Sequence, residues 1–177
     1  FLGGAKFSFY KIASITNSGG KDWKYTVEQA YQDKLRDNGA AKNLNDLPSS
    51  EWEAKIDVLA AVNATAIKES EVSAEKTGST GATELPLGVY LVKETTTPAG
   101  YVASKPFIVS VPSTDNYDTA GKEGTEFIYN ITAKPKNSKM SVDKTIVNED
   151  KTAYIGGFVE YKVETQIPKY GVYKSCI

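Results

Sequence analysis

The chain has 177 residues, enough for one good hydrophobic core or for one domain with part of a second. Its 21 basic and 22 acidic side chains leave a net charge of -1, which gives no reason to expect nucleic acid or an anionic membrane as a partner. Histidine, the commonest general base and metal ligand, does not occur, and the single cysteine, Cys176, has neither a disulfide partner nor an activating histidine. No metal or cofactor is therefore expected, and Cys176 is read as incidental.

The first predicted element is a strand over residues 3–12 (GGAKFSFYKI), with Ala5, Phe7 and Phe9 on its apolar face. It starts so near residue 1 that a preceding strand is expected to be missing from the chain. Residues 17–22 (NSGGKD) read as a turn. From 23 to 70 the pattern becomes helical: Trp23, Val27, Ala30 and Tyr31 recur at helical spacing until Asn38-Gly39 interrupts. A second helix is signalled by a capping box at Ser50 and Glu53, followed by a stripe of Trp52, Ile56, Leu59, Asn63 and Ile67 that suits core packing.

Residues 76–83 (KTGSTGAT) form a turn into the next strand, where Val89, Tyr90, Leu91 and Val92 lie between Pro86-Gly88 and Pro98-Gly100. Both faces of that strand are apolar at its start, so burial on both sides is expected. Glu94 shares a face with Tyr90 and Val92. A lone carboxyl buried there favours its protonated form, whereas a strand-end glutamate reaching water is the plainer alternative. Further strands are predicted at 106–112 and 127–133, with a polar loop at 113–125 between them. A linker at 137–139, a strand around Val142-Ile146 and an alternating strand at 158–167 follow. The strands after 140 are too few to bury both faces of a sheet and read as the beginning of a second domain.

If the strand at 127 runs through Pro135, then Phe127, Tyr129, Ile131, Ala133 and Asn137 point inward, while Lys134 and Lys136 point to solvent. Lys144 shares a face with Val142 and Ile146, where desolvation favours the neutral amine. A neutral lysine, a protonated carboxyl and a carboxamide are together sufficient for an amide exchange. The amine attacks the amide carbon, the acid polarises its oxygen and shuttles protons, and ammonia leaves. The product is an intramolecular isopeptide bond. Taken singly, a strand lysine is ordinarily snorkelling and a strand-end asparagine is ordinarily a turn former.

GAKFSFYKI resembles the GAxFxLYK strand of Cna-B-like domains of Gram-positive surface proteins. YLVKETTTPAGY resembles the E-box of sortase-assembled pilins (YxLxETxAPxGY), and FIYNITAKPKN is similar to their pilin motif, with Lys134 where an aromatic is usual. The resemblance spans roughly residues 3–146. It implies an immunoglobulin-like (Cna-B-type) β-sandwich, mainly β, with a helical insertion at about 23–70. A first pilin domain would occupy 1–137, and an incomplete second β domain 138–177. The implied function is a backbone pilin: a structural, non-enzymatic subunit of an extracellular, cell wall-anchored pilus, joined covalently to its neighbours by a class C sortase.

In residue terms the resemblance makes Lys136 the sortase linkage site, Asn137 the isopeptide acceptor and Glu94 its catalytic acid. Lys144 matches the isopeptide lysine of the second domain. The first-domain lysine normally lies on the strand before GAxF, with Lys11, on the face of Phe7 and Phe9, as a substitute. No LPXTG signal occurs in the chain, and LPLG at 85–88 is not one, so a fragment or truncated precursor is expected; the tail 170–177 matches nothing in the family. The alternative function is an adhesin or minor pilin binding a host surface ligand through the helical insertion. A hydrolase built on Glu94 lacks a second acid, since Asp115, Asp118 and Glu123 sit in a loop.

Overall fold

The computed structural model describes residues 1–17, 23–37, 40–41, 49–114, 127–147 and 160–165. The turn at 18–22, the Asn38-Gly39 break, the loop acids Asp115, Asp118 and Glu123, and the tail 170–177 lie outside the described residues, as do the side chains of Ser50, Trp52 and Glu53.

A mainly antiparallel β architecture is built around two long strands. The first, β1 (Lys6–Asn17), carries Phe7, Ile12, Ala13 and Ile15 into the interior. Its C-terminal half pairs with β2 (Trp23–Val27). After β2 come a 3₁₀ turn (Gln29–Lys34), the short β3 (Arg36–Asp37) and β4 (Ala40–Ala41), which pair with each other, and α1 (Ser49–Ala60). The short β5 (Lys68–Glu69) adds to the N-terminal half of β1, and the central β6 (Gly88–Thr96) pairs along the other side of β1.

The chain then gives β7 (Tyr101–Val102), β8 (Phe107–Val111), β9 (Ser113–Thr114), β10 (Phe127–Ile128), β11 (Ser138–Lys139), β12 (Val142–Ile146) and β13 (Tyr161–Thr165). The main sheet runs β2-β1-β6-β8, with β5 beside β2 on β1. The pairs β9·β10, β7·β11 and β12·β13 stand apart from it.

The uninterrupted apolar run in β6 explains its central place. Val89, Tyr90, Leu91 and Val92 are 4%, 0%, 0% and 1% exposed, as expected of a strand covered on both faces. Val89 and Leu91 join Ile12, Ala13 and Ile15 beneath Tyr31, Leu35 and Leu59, so the 3₁₀ turn and α1 cap this face. Ala5, Phe7 and Val92 form a second cluster with Phe9, Phe107 and Val109 on the opposite face, where Phe7 and Phe107 meet edge to face at 6.5 Å. Gly88 is needed where β6 begins, since a Cβ there would stand 2.7 Å from the Ala13 carbonyl oxygen.

The helical reading of residues 23–70 holds only for α1. Trp23–Val27 is a strand: Trp23, Tyr25 and Val27 alternate as well as Val27 and Tyr31 repeat, and pairing with β1 decides between the two periods. The helix stops at Ala60, so the expected stripe ends with Leu59; Asn63 and Ile67 are exposed beyond it. No basic residue occupies the last turn of α1, and the sheet supplies one. Lys93 donates from Nζ to the Ala60 carbonyl at 3.3 Å and lies 4.1 Å from the centre of the Tyr10 ring. Burial holds the Lys93 amine below the usual lysine range.

Residues 67–73 run along the N-terminal half of β1 as a strap. The amides of Ile67, Ser70 and Ser73 donate to the carbonyls of Phe9, Phe7 and Ala5 at 2.8, 2.8 and 2.7 Å. Three strap residues advance for every two of β1, so a regular ladder cannot keep step. Two buried serines supply the missing acceptors: Ser70 Oγ takes the Phe7 amide at 3.0 Å and Ser73 Oγ the Ala5 amide at 2.9 Å.

The strand expected at 127–133 is short. Only Phe127–Ile128 is extended and paired, and Tyr129, Ile131 and Ala133, expected inward, are exposed. Among the described residues β10 pairs only with the two-residue β9, too small a ribbon for the alternation in FIYNITA to bury a face against. Backbone pairing to β7 continues two residues past Asn137, the boundary read from the sequence, because Ser138 and Lys139 pair with Val102 and Tyr101.

Candidate functional site

Along β6 the burial falls from complete at Val92 to half at Lys93 and Glu94, and Thr95 and Thr96 are exposed. Glu94 stands opposite Phe7, while Lys6 pairs with Thr96, so Thr95 forms a one-residue bulge. Thr95 Oγ1 meets the buried Ser8 hydroxyl at 3.0 Å and steadies that bulge. The chain reverses through Pro98, Ala99 and Gly100, whose φ of +81° calls for glycine, and returns as β7.

This return lays a donor against the end of β6. The Ser104 amide donates to Glu94 Oε2 at 2.7 Å. From the other side, Ser138–Lys139 pairs with β7, and the preceding residue, Asn137, turns its carboxamide inward. Asn137 Nδ2 donates to Glu94 Oε1 at 2.7 Å, to Glu94 Oε2 at 2.9 Å and to the Val102 carbonyl at 3.2 Å. An acid in hydrogen contact with an amide nitrogen can pass it a proton as it departs, and a carboxylate there can accept a proton from an arriving amine.

The remaining sequence-predicted residues are arranged as follows. Lys136, next to Asn137, is exposed and is one of the residues lining an open groove. Lys11 is not brought to Glu94: it pairs with Tyr90, four residues back along β6, a separation of roughly 13 Å along the strand. Its Cε lies against Gly88, at the opposite end of β6. Lys144 is exposed rather than desolvated, because a two-stranded ribbon covers neither face; its Nζ lies 3.9 Å from the centre of the Tyr161 ring. Among the described residues no lysine amine contacts Glu94 or Asn137.

Asn137 meets Glu94 by a route that side-chain alternation did not foresee. The segment before it is irregular, and its direction is set by the two-residue pairing of β11 with β7. The Ser104 amide and the Val102 carbonyl had no sequence signal, because backbone groups carry none. Only the Pro-Ala-Gly-Tyr reversal hinted that the chain folds back over Glu94.

A family model described as "SpaA: Prealbumin-like fold domain" matches residues 2–125. The chain belongs to this family. Among curated proteins it is similar to a fimbrial subunit type 2 of Actinomyces naeslundii, 32% identical over 95% of this chain and 29% of that protein. It is also similar to a fimbrial subunit type 1 of Actinomyces viscosus, 33% identical over 61% of this chain and 20% of that protein. The chain thus spans less than a third of the length of these relatives. A solved structure, the full-length major pilin SpaD from Corynebacterium diphtheriae, is similar over 96% of this chain and 33% of its own, at 22% identity and a TM-score of 0.46. In this SpaA-family domain the mainly β architecture agrees with the family assignment.

Proposed function

We propose that this SpaA-family domain is part of a structural subunit of a covalently polymerised, extracellular surface pilus, with Lys136 as the amine that a class C sortase joins to the neighbouring subunit. The observation that carries the reading is the Glu94–Asn137 contact beside an exposed Lys136. The fimbrial names of the two curated relatives support it. A transpeptidase acceptor has to present a free amine at the surface. Lys136 does so on a segment whose backbone is constrained by Pro135 before it and by the docked Asn137 after it.

Glu94 and Asn137 have a separate role in this reading. A lysine Nζ, supplied from outside the described neighbours of the pair, attacks Asn137 Cγ. The C–N bond to Nδ2 breaks, Glu94 relays the amine's proton to the departing nitrogen, and ammonia leaves behind an isopeptide bond. The chemistry needs no cofactor and makes the protein a substrate of its own fold rather than an enzyme.

Two measurements test the halves independently. Incubated with its class C sortase, wild-type protein forms ladders of covalent multimers and Lys136→Ala does not; ladders from Lys136→Ala would overturn the linkage assignment. Intact mass of the native pilus subunit shows a deficit of about 17 Da, one ammonia, for each isopeptide bond, and Glu94→Ala is heavier than its own substitution accounts for by one such loss. A deficit of the same size in the variant as in wild type refutes the role of Glu94.

A further inference from the structure

Beside the Glu94–Asn137 contact the fold buries a hydroxyl that bonds to no described group. Between β7 and β8, Ala103 and Lys105 are exposed, whereas Ser104 is 7% exposed. Its Oγ is buried and has no hydrogen-bond partner among the described residues. Leaving such a group unpaired is costly, and buried polar atoms of native folds are nearly always paired. The backbone of the same residue is tied to the site, because its amide donates to Glu94 Oε2 at 2.7 Å. Standard bond lengths then keep Ser104 Oγ within about 6 Å of that carboxylate.

The amide exchange set out above calls for a contact of this kind. A lysine that attacks Asn137 Cγ must arrive as a neutral amine, with its lone pair on the carbon and two N–H groups that have left water. A carboxylate offers about four acceptor positions. Three are taken at Glu94: the Ser104 amide and Asn137 Nδ2 share Oε2, and Asn137 Nδ2 also reaches Oε1. One N–H of the amine finds the remaining place on Oε1, and the other needs a second acceptor. A single nitrogen at ordinary hydrogen-bond lengths bridges two acceptors up to about 6 Å apart, which is the span between Glu94 and the serine hydroxyl. Neutrality suits the task as well. A second carboxylate would hold the lysine as an ammonium, which has no lone pair to attack with.

We propose that the Ser104 hydroxyl receives the attacking lysine amine, accepting one of its N–H groups while Glu94 accepts the other. The inference rests on the reading of Glu94 and Asn137 as an isopeptide-forming pair, and it adds the residue that positions the nucleophile. The new bond joins lysine Nζ to Asn137 Cγ, and the bond from Cγ to Nδ2 breaks. Glu94 carries one proton from the amine to the departing nitrogen, and ammonia leaves. Ser104 gains and loses no proton; it contributes by orientation.

The test follows the native pilus subunit from its synthesis. Samples are quenched at intervals and digested, and mass spectrometry reads the fraction of Asn137 joined to a lysine. Ser104→Ala slows the appearance of that bond by about tenfold or more. Ser104→Thr, which keeps a hydroxyl, outpaces the isosteric Ser104→Val by a similar factor. In an Asn137→Ala background, where this bond cannot form, adding Ser104→Ala does not lower the melting temperature, because the hydroxyl it removes has no partner. Bond formation in Ser104→Ala at the wild-type rate overturns the proposal, and so do equal rates in the isosteric pair. A lower melting temperature in the bond-free background also overturns it, since the hydroxyl would then be a structural group. Wild-type Asn137 that never joins a lysine is a separate failure: it removes the isopeptide reading itself, and this inference with it.

Discussion

Removing the Glu94 carboxylate should loosen the closure over the end of β6. In Glu94→Ala the Ser104 amide loses its acceptor at 2.7 Å, and the Asn137 amide loses two of its three, keeping only the Val102 carbonyl at 3.2 Å. Hydrogen bonds to a charged group contribute about 1.5–3 kcal/mol each, and an orphaned buried donor costs about 1–3 kcal/mol. Glu94 is half-buried, and water re-solvates part of what is lost, so the net destabilisation is about 2–4 kcal/mol. For a chain of this size that corresponds to a fall in Tm of roughly 5–15 °C. Glu94→Gln keeps one acceptor oxygen and should lose about half as much. Urea unfolding of protein whose intact mass excludes an isopeptide bond gives the number, and hydrogen exchange at the Ser104 amide locates it. A Glu94→Ala protein within about 0.5 kcal/mol of wild type, with Ser104 still protected, would refute the claim that this carboxylate ties β7 and Asn137 to the sheet.

Three other perturbations have defined outcomes. Tyr31 is 1% exposed and its hydroxyl has no partner among the described residues, so Tyr31→Phe should stabilise the fold by about 1 kcal/mol in urea melts at neutral pH. Burial first, and then the charge of Tyr10, push the Tyr31 hydroxyl up to about 12. An unfolded tyrosine ionises near 10, so this contribution is intact below about 10 and is lost as pH rises towards 12; melts across that window should fall less steeply in Tyr31→Phe. Ser70→Ala and Ser73→Ala each remove the acceptor of a β1 amide and should each cost about 1 kcal/mol, read by thermal denaturation, while Ser79→Ala, at an exposed position in the turn beyond the strap, should cost much less. The Lys6 hydrogen bond, and secondarily its charge, hold Glu69 below the usual carboxylate range. Any stability this pair gives is present above the ordinary glutamate range and is lost as pH falls through the lowered value. Lys6→Ala should move the Glu69 titration upward by NMR.

What could be read in advance followed the strength of the local pattern. The run Val89-Tyr90-Leu91-Val92, bounded by proline and glycine, has one physical use, and it forms the doubly covered centre of the sheet. Residues 23–31 satisfy both periods, and only the presence of β1 alongside resolves them. The stripe through Asn63 and Ile67 failed because apolar spacing cannot show where a helix ends, and the cation at the end of α1 comes from Lys93, a strand residue. At the site, the inward turn of Asn137 and the exposure of Lys136 were legible, but the strand expected to produce them was not there. Two residues of pairing with β7 produce them instead, and such short pairings leave no mark on composition or periodicity. Lys11 was misplaced because sharing a face says nothing of position along it.

If Lys136 is the linkage site proposed above, the Asn137–Glu94 contact gives tension one route from that residue into the sheet. A pull on the Lys136 side chain passes to its neighbour Asn137 and, through that amide, to Glu94 on β6. Hydrogen-bonded ladders to β1 and β8 flank β6 on both sides. Force arriving at an edge strand unzips a sheet one bond after another; force arriving at the middle strand is divided between two ladders from the outset. If Lys136 carries the linkage proposed above, the short pairing that seats Asn137 would couple part of that strain into the strand held by two ladders.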